Sequence, residues 1–152
     1  MASIVLDACA LIALAKKEEG SAIVASFLEN EENSCFAHSV NLCEVYYKAY
    51  RDTSKQEAIA LVEGFLDLGV ILRDDMDTEF WQDAGELKAV HKRVSLADCC
   101  AIALANRLNA ELVTSDHHEL DDRAEQNMSA RSRSLDRPIA KSFYSPFTIH
   151  DS

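Results

Sequence analysis

Glycine is scarce in this chain of 152 residues, with only Gly20, Gly64, Gly69 and Gly85. None stands in a G-x-G-x-x-G or G-x-x-x-x-G-K-[ST] arrangement, so the glycine-rich phosphate cradles of dinucleotide-binding and P-loop folds are excluded. Cysteine occurs as an odd set, Cys9, Cys35, Cys43, Cys99 and Cys100, without a C-x-x-C pair. Four of the five lie among apolar residues, where a reduced thiol behaves as a small hydrophobe, so neither a disulfide framework nor a zinc site is indicated. The five histidines, including the pair His117 and His118, show no metal-ligand spacing either. Long apolar runs are also missing. Nothing approaches the ~20 residues that cross a bilayer. The apolar stretch near the start, "ACALIALA", has no Lys or Arg before it and follows Asp7, which argues against a secretory leader. A cytoplasmic protein with no membrane partner is the expectation.

Basic charge is short as well. With 15 Lys and Arg against 26 Asp and Glu, the net charge is −11. That excludes a protein that grips nucleic acid by a broad basic face, because phosphate contacts need Lys and Arg. It leaves open a protein that acts on nucleic acid through metal ions held by its own acids. One basic cluster stands in residues 129–143, where Arg131, Arg133, Arg137 and Lys141 face a single acid, Asp136. It reads either as a solvated loop or as a set of contacts to RNA phosphates.

What is present is enough apolar residue, 48% of the chain, to close one sizeable core, so a single domain over residues 1–152 is expected. "SIVL" at 3–6 is short and apolar, as in a strand buried on both faces. "ACALIALAKKEEG" reads as a helix stopped by Gly20, with Ser21 capping "AIVASFLENEEN". "CFA" is a second strand. Ser39 is expected to cap "VNLCEVYYKAYRD", and Ser54 with Glu57 makes a capping box for the next helix. "VILR" after Gly69 is a third strand, Asp77 caps "TEFWQDAGELKAVHK", Ser95 caps the helix from "LADCC", and "ELVTSD" is a fourth strand ending in Asp116. Short strands alternating with longer helices predict an α/β fold, a parallel sheet covered by helices. Residues 121–145 break that rhythm, and "FTIH" is a candidate last strand.

In open α/β sheets, ligands bind where the loops converge at the carboxyl ends of the strands. Asp7 and Asp116 both stand at such ends. Glu44 lies among Leu42, Cys43, Val45 and Tyr46, where a lone carboxylate is costly unless it faces a ligand or partner. Asp98 lies in a first helical turn that can face the same crevice. Each acid alone has a local explanation: Asp98 as a capping-box acid, Asp7 as a helix cap, Glu44 as a semi-exposed helix acid, Asp116 as a turn former. Four carboxylates in one pocket would instead repel each other and hold cations. Hard ions such as Mg²⁺ or Mn²⁺ suit oxygen donors and can activate water for attack on a phosphodiester.

The blocks "IVLDACALIAL", "SVNLCEVYYKA", "VSLADCCAIALA" and "ELVTSDHHEL", in this order, resemble the PIN domain, and in particular the small VapC-type ribonuclease toxins of toxin–antitoxin pairs. The resemblance covers residues 3 to about 120. It implies a three-layer α/β/α fold with a parallel sheet, an Mg²⁺- or Mn²⁺-dependent endoribonuclease, a homodimer, and inhibition by a cognate antitoxin. By position, Asp7, Glu44, Asp98 and Asp116 match the family's acidic quartet, Asp7 and Asp98 as principal metal ligands. Thr114 matches a hydroxyl position near the metal and Asn41 a polar neighbour of the glutamate, both as positioning residues. Cys9 departs from the pattern, since many relatives carry Ser there. A non-catalytic PIN-like module that binds RNA or protein is the alternative. A haloacid-dehalogenase-like phosphohydrolase is disfavoured, because its second Asp, two residues after the first, is here Cys9.

Overall fold

The computed structural model describes residues 2–114. Along the chain they form β1 (Ser3–Leu6), α1 (Ala8–Lys16), α2 (Ser21–Glu29), β2 (Ser34–His38), α3 (Ser39–Asp52), α4 (Lys55–Asp67), β3 (Ile71–Arg73), α5 (Thr78–Val90), α6 (Leu96–Leu108) and β4 (Glu111–Val113). The four strands make one parallel sheet in the order β3-β2-β1-β4. Asp116 and the candidate strand "FTIH" lie outside the described residues, as does everything from residue 115 onward.

Side-chain alternation along the strands explains the layering. Ile4 and Leu6 of β1, with Cys35 and Ala37 of β2, point to one face, where Leu11, Val24, Leu42, Val45 and Phe65 of α1–α4 cover them. Val5 points to the other face, with half-buried Phe36 and Leu112, and there Phe80 and Ala84 of α5 and Cys100, Ala101 and Leu104 of α6 close the core. Helices on both sides of a parallel sheet give the three-layer α/β/α arrangement, and they leave "IVL" of β1 at 1% exposure or less. A strand covered on both faces needs a continuous apolar run, which is what the sequence supplies there.

Three expected helix starts are in place. Ser54, Asp77 and Ser95 accept backbone N–H bonds from Glu57, Phe80 and Asp98 respectively. Two others differ. Ser21 is already inside α2, and the cap position belongs to Gly20, whose φ of 87° is a left-handed conformation that glycine adopts without strain. Helix α1 does not run on to Gly20 but ends at Lys16, with Lys17 closing it in the left-handed region. Ser39 is likewise inside α3, and the cap is the imidazole of His38, whose Nδ1 accepts from Val40 N–H at 3.1 Å.

His38 is fully buried and anchors a second assembly on the β3 side of the sheet. Because Nδ1 accepts, the ring proton is on Nε2, which donates to the carbonyl oxygen of Asp75 at 2.8 Å. The ring stacks on Phe80, centroids 4.9 Å apart and planes nearly parallel, and the Arg107 guanidinium lies over the Phe80 ring at 5.1 Å. Arg107 also binds the carboxylates of Asp75 and Asp77, while Arg73 grips Asp75 with two bonds of 2.8 Å. The loop between β3 and α5 is thereby pinned to β2 and to the end of α6. Replacing His38 with Ala removes a cap, a stacking partner and the donor to Asp75, and is expected to cost about 3 kcal/mol. Arg107→Ala loses more exposed ion pairs and should cost only about 1 kcal/mol. Urea unfolding of both variants checks the order.

Candidate functional site

Asp7 follows directly on the buried strand β1 and is itself 4% exposed. Its backbone N–H donates to Val113 O, extending the β1–β4 ladder by one step, and Thr114 follows on the neighbouring strand. One carboxylate oxygen of Asp7 caps α1 by accepting from Ala10 N–H at 2.8 Å, and the Thr114 side chain supplies another hydrogen bond. Both contacts favour the charged form. Burial outweighs them, and with the nearby negative charges of Asp98 and Glu44 it pushes the Asp7 carboxyl up to about 7.

Asp98 is half-buried in the first turn of α6. Its backbone N–H donates to Ser95 Oγ, but the return bond from its carboxylate to Ser95 N–H, which would complete a capping box, is not among the hydrogen bonds of the described residues. The carboxylate is therefore not consumed by the cap and acts on Asp7 through its charge. Glu44 stands one turn into α3 and pairs through Oε1 with Lys48 Nζ at 3.0 Å, an i,i+4 contact. Burial works against the Lys48 ammonium, but the hydrogen bond and charge of Glu44 offset it, so its pKa is raised; Cys9 also lies within electrostatic range. Lys48 has a plain sequence signature, four residues after Glu44, yet composition and motif reading alone passed over it.

Asn41 is fully buried between these elements. Its Oδ1 accepts from Ala8 N–H at 3.2 Å, and its Nδ2 donates to Ala97 O at 3.2 Å. The carboxyl ends of β1 and β4 and the starts of α1, α3 and α6 are thus drawn to one place, which brings together Asp7, Glu44, Asp98, Thr114 and Asn41. Asp116, Arg131, Arg133, Arg137 and Lys141 lie outside the described residues. Among the described residues no three acid, imidazole or thiol groups are close enough, as placed, to hold a metal ion. The donor chemistry nevertheless fits a hard divalent cation: three carboxylates, one of them, Asp7, resisting ionisation through burial and the charges of the other two.

A parallel sheet covered by helices on both faces, with acids gathered at its strand carboxyl ends, is the three-layer α/β/α class of fold. Within that class, a profile of the PIN domain family matches residues 4–126, and the chain belongs to that family. Solved structures share the fold. VapC20 of Mycobacterium tuberculosis, a sarcin-ricin loop cleaving toxin, is 14% identical with a TM-score of 0.65, over 79% of this chain and 95% of that one. The DNA-bound VapBC of Salmonella typhimurium is 24% identical with a TM-score of 0.62, over 80% of this chain and 92% of that one. VapBC-1 of nontypeable Haemophilus influenzae is 19% identical with a TM-score of 0.61, over 81% and 93%. No curated protein matches the chain.

The raised carboxyl has a consequence for stability. A folded-state value near 7, against 3.8 as the ordinary value, means that the native chain holds a proton that the unfolded chain has released. The contribution is therefore full below pH 4 and declines as pH rises toward 7, with a slope of up to about 1.4 kcal/mol per pH unit. In EDTA, the parent should lose urea resistance between pH 5 and pH 8 relative to Asp7→Asn, whose amide keeps the cap to Ala10 without a charge. Added Mn²⁺ should restore the parent at pH 8 and leave the variant unchanged.

Proposed function

We propose that this PIN-domain protein is a metal-dependent endoribonuclease, the toxin of a toxin–antitoxin pair of the VapBC kind. The observation that carries the reading is the meeting of Asp7, Glu44 and Asp98 beside Thr114 at the strand ends, with burial and the two neighbouring acids holding the Asp7 carboxyl near 7. Asp7 and Asp98 would be the principal holders of Mg²⁺ or Mn²⁺, with Glu44 and Asp116 in support and Thr114 fixing the orientation of Asp7. The bound ion would supply Lewis acidity toward water and the scissile phosphate. The chain's own part is to hold the carboxylates in register, orient the attacking water through Glu44 or Asp116, and shield the reacting centre behind the buried β1–α1 junction. Attack at phosphorus breaks the bond to the 3′ oxygen, leaving a 3′-hydroxyl and a 5′-phosphate. Arg131, Arg133, Arg137 and Lys141 are candidate contacts to RNA phosphates, and a homodimer is the proposed assembly.

The Lys48–Glu44 pair supports a mode of inhibition. A side-chain ammonium is already accepted by one of the site's acids, so an Arg or Lys from an antitoxin can neutralise the others in place of a metal ion. Replacing the antitoxin's basic residues with Ala is expected to abolish inhibition; retained inhibition would exclude this mode. The same pair also favours the second reading, a non-catalytic module whose acids bind a basic partner segment.

Cleavage of a mixed RNA pool by the purified chain in Mg²⁺, Mn²⁺ or EDTA separates the two. The nuclease reading expects metal-dependent cleavage that falls at least about 100-fold in Asp7→Asn and Asp98→Asn, with unchanged circular dichroism. Absence of cleavage under every condition, or equal cleavage by the Asn variants, favours the binding module.

A further inference from the structure

Asn41 makes two hydrogen bonds that nothing in the local geometry of α3 requires. Its Oδ1 takes the N–H of Ala8, the residue after Asp7, and its Nδ2 gives a proton to the carbonyl of Ala97, the residue before Asp98. The two partners are 33 and 56 residues away in sequence. Their chemistry also fixes the orientation of the amide: Ala8 N–H is a donor and needs the oxygen, and Ala97 C=O is an acceptor and needs the NH₂.

Each bond touches a helix start. Ala8 N–H belongs to the first turn of α1, whose N–H groups have no intrahelical acceptor, and Asp7 already serves Ala10. Ala97 lies in the first turn of α6. Asn41 and Glu44 are three residues apart on α3, and so lie on one face of that helix. A single face of α3 therefore presents one acid to the site and, one turn earlier, holds the backbone beside the other two.

Resting on the metal-site reading above, we infer that Asn41 is a positioning residue that sets the separation and aim of Asp7 and Asp98 by clamping the starts of α1 and α6 to α3. It touches neither the reacting phosphate nor the ion. Burial supports the role: Asn41 is 0% exposed, and among the described residues no buried side-chain nitrogen or oxygen lacks a partner. An apolar side chain of similar size would fill the space and hold the core, but would leave the two helix starts free to shift. Side chains that orient metal-binding groups in this way typically change metal affinity by about 10–100-fold when replaced.

The test uses the full chain and isothermal titration with Mn²⁺ for the parent, Asp7→Asn, Asn41→Leu, Asn41→Ser and Val45→Ala. Val45 is buried on the same helix and has no polar contact, so its variant reports general loosening of α3. Expected are loss of binding in Asp7→Asn, 10–100-fold weaker binding in Asn41→Leu, a smaller loss in Asn41→Ser, whose hydroxyl can keep one bond, and parent-like binding in Val45→Ala. Hydrogen exchange of the Ala8 amide in the metal-free chain gives a second readout, with faster exchange in both Asn41 variants and not in Val45→Ala. If Asn41→Leu does not fold, Asn41→Ser decides. Parent-like Mn²⁺ affinity in a folded Asn41 variant, or an equal loss in Val45→Ala, overturns the positioning role while Asp7→Asn still supports the metal site. Failure of the parent to bind Mn²⁺, or unchanged binding in Asp7→Asn, overturns the metal site and the positioning role together.

Discussion

The carboxylate of Asp7 comes out of water because the strand before it has no exposed face. Ile4, Val5 and Leu6 are covered on both sides, and the chain turns into α1 immediately afterwards, so residue 7 is buried whatever its chemistry. An acid there is tolerable only with compensation, which comes from N–H and O–H groups at the same junction: Ala10, Thr114, and the positive ends of α1, α3 and α6 that meet near it. Compensation is incomplete. Burial still wins, and Asp98 and Glu44 add to the deficit. The geometry around the junction follows from that imbalance, including the use of a neutral amide, Asn41, where a charged clamp would have changed the total.

The second polar assembly shows the opposite solution. Asp75 and Asp77 also crowd together near a strand end, but Arg73 and Arg107 stand among them, and both carboxyls are held below their ordinary range by those hydrogen bonds. Both carboxylates are paired, and the result is a braced loop. At Asp7, among the described residues, no arginine bonds the carboxylate, and the positive group nearby is Lys48, on Glu44. Among the described residues, two clusters of acids thus differ in whether arginines bond them. Clusters that push a carboxyl pKa up in this way are where function concentrates.

Much of this was legible in the sequence where the signal is local. The apolar run of β1, the capping serines at 54 and 95, and Asp77 depend on neighbours a few residues away, and the structure has them. Ser21 and Ser39 misled because a serine beside a helix start looks like a cap, whereas the cap positions went to a glycine in a left-handed conformation and to an imidazole. The brace around His38 was invisible, since His38 and Asp75 are 37 residues apart and Arg107 and Asp77 are 30. Among the site residues, the order of the acids in the four blocks and Asn41 as a positioning candidate were readable, but the two backbone groups that Asn41 holds were not. Its partners are backbone groups, and sequence carries no mark of which carbonyl an amide will reach.

A net charge of −11 bears differently on the two encounters that the proposed function requires. A polyanion approaching this chain meets repulsion at distances up to the Debye length of ~8 Å at physiological salt, so an RNA substrate would depend on local cations, such as a bound metal ion and Lys48. A basic partner segment meets attraction over the same range, and the acids near the strand ends, Asp7, Glu44 and Asp98, would be a destination for it. Under the proposed function, accumulated acidity would slow the substrate and hasten the inhibitor, and the two would compete for the acids at the strand ends. On this view the surface charge is as much a part of control as the pocket itself, because it favours the inhibited complex before any specific contact has formed.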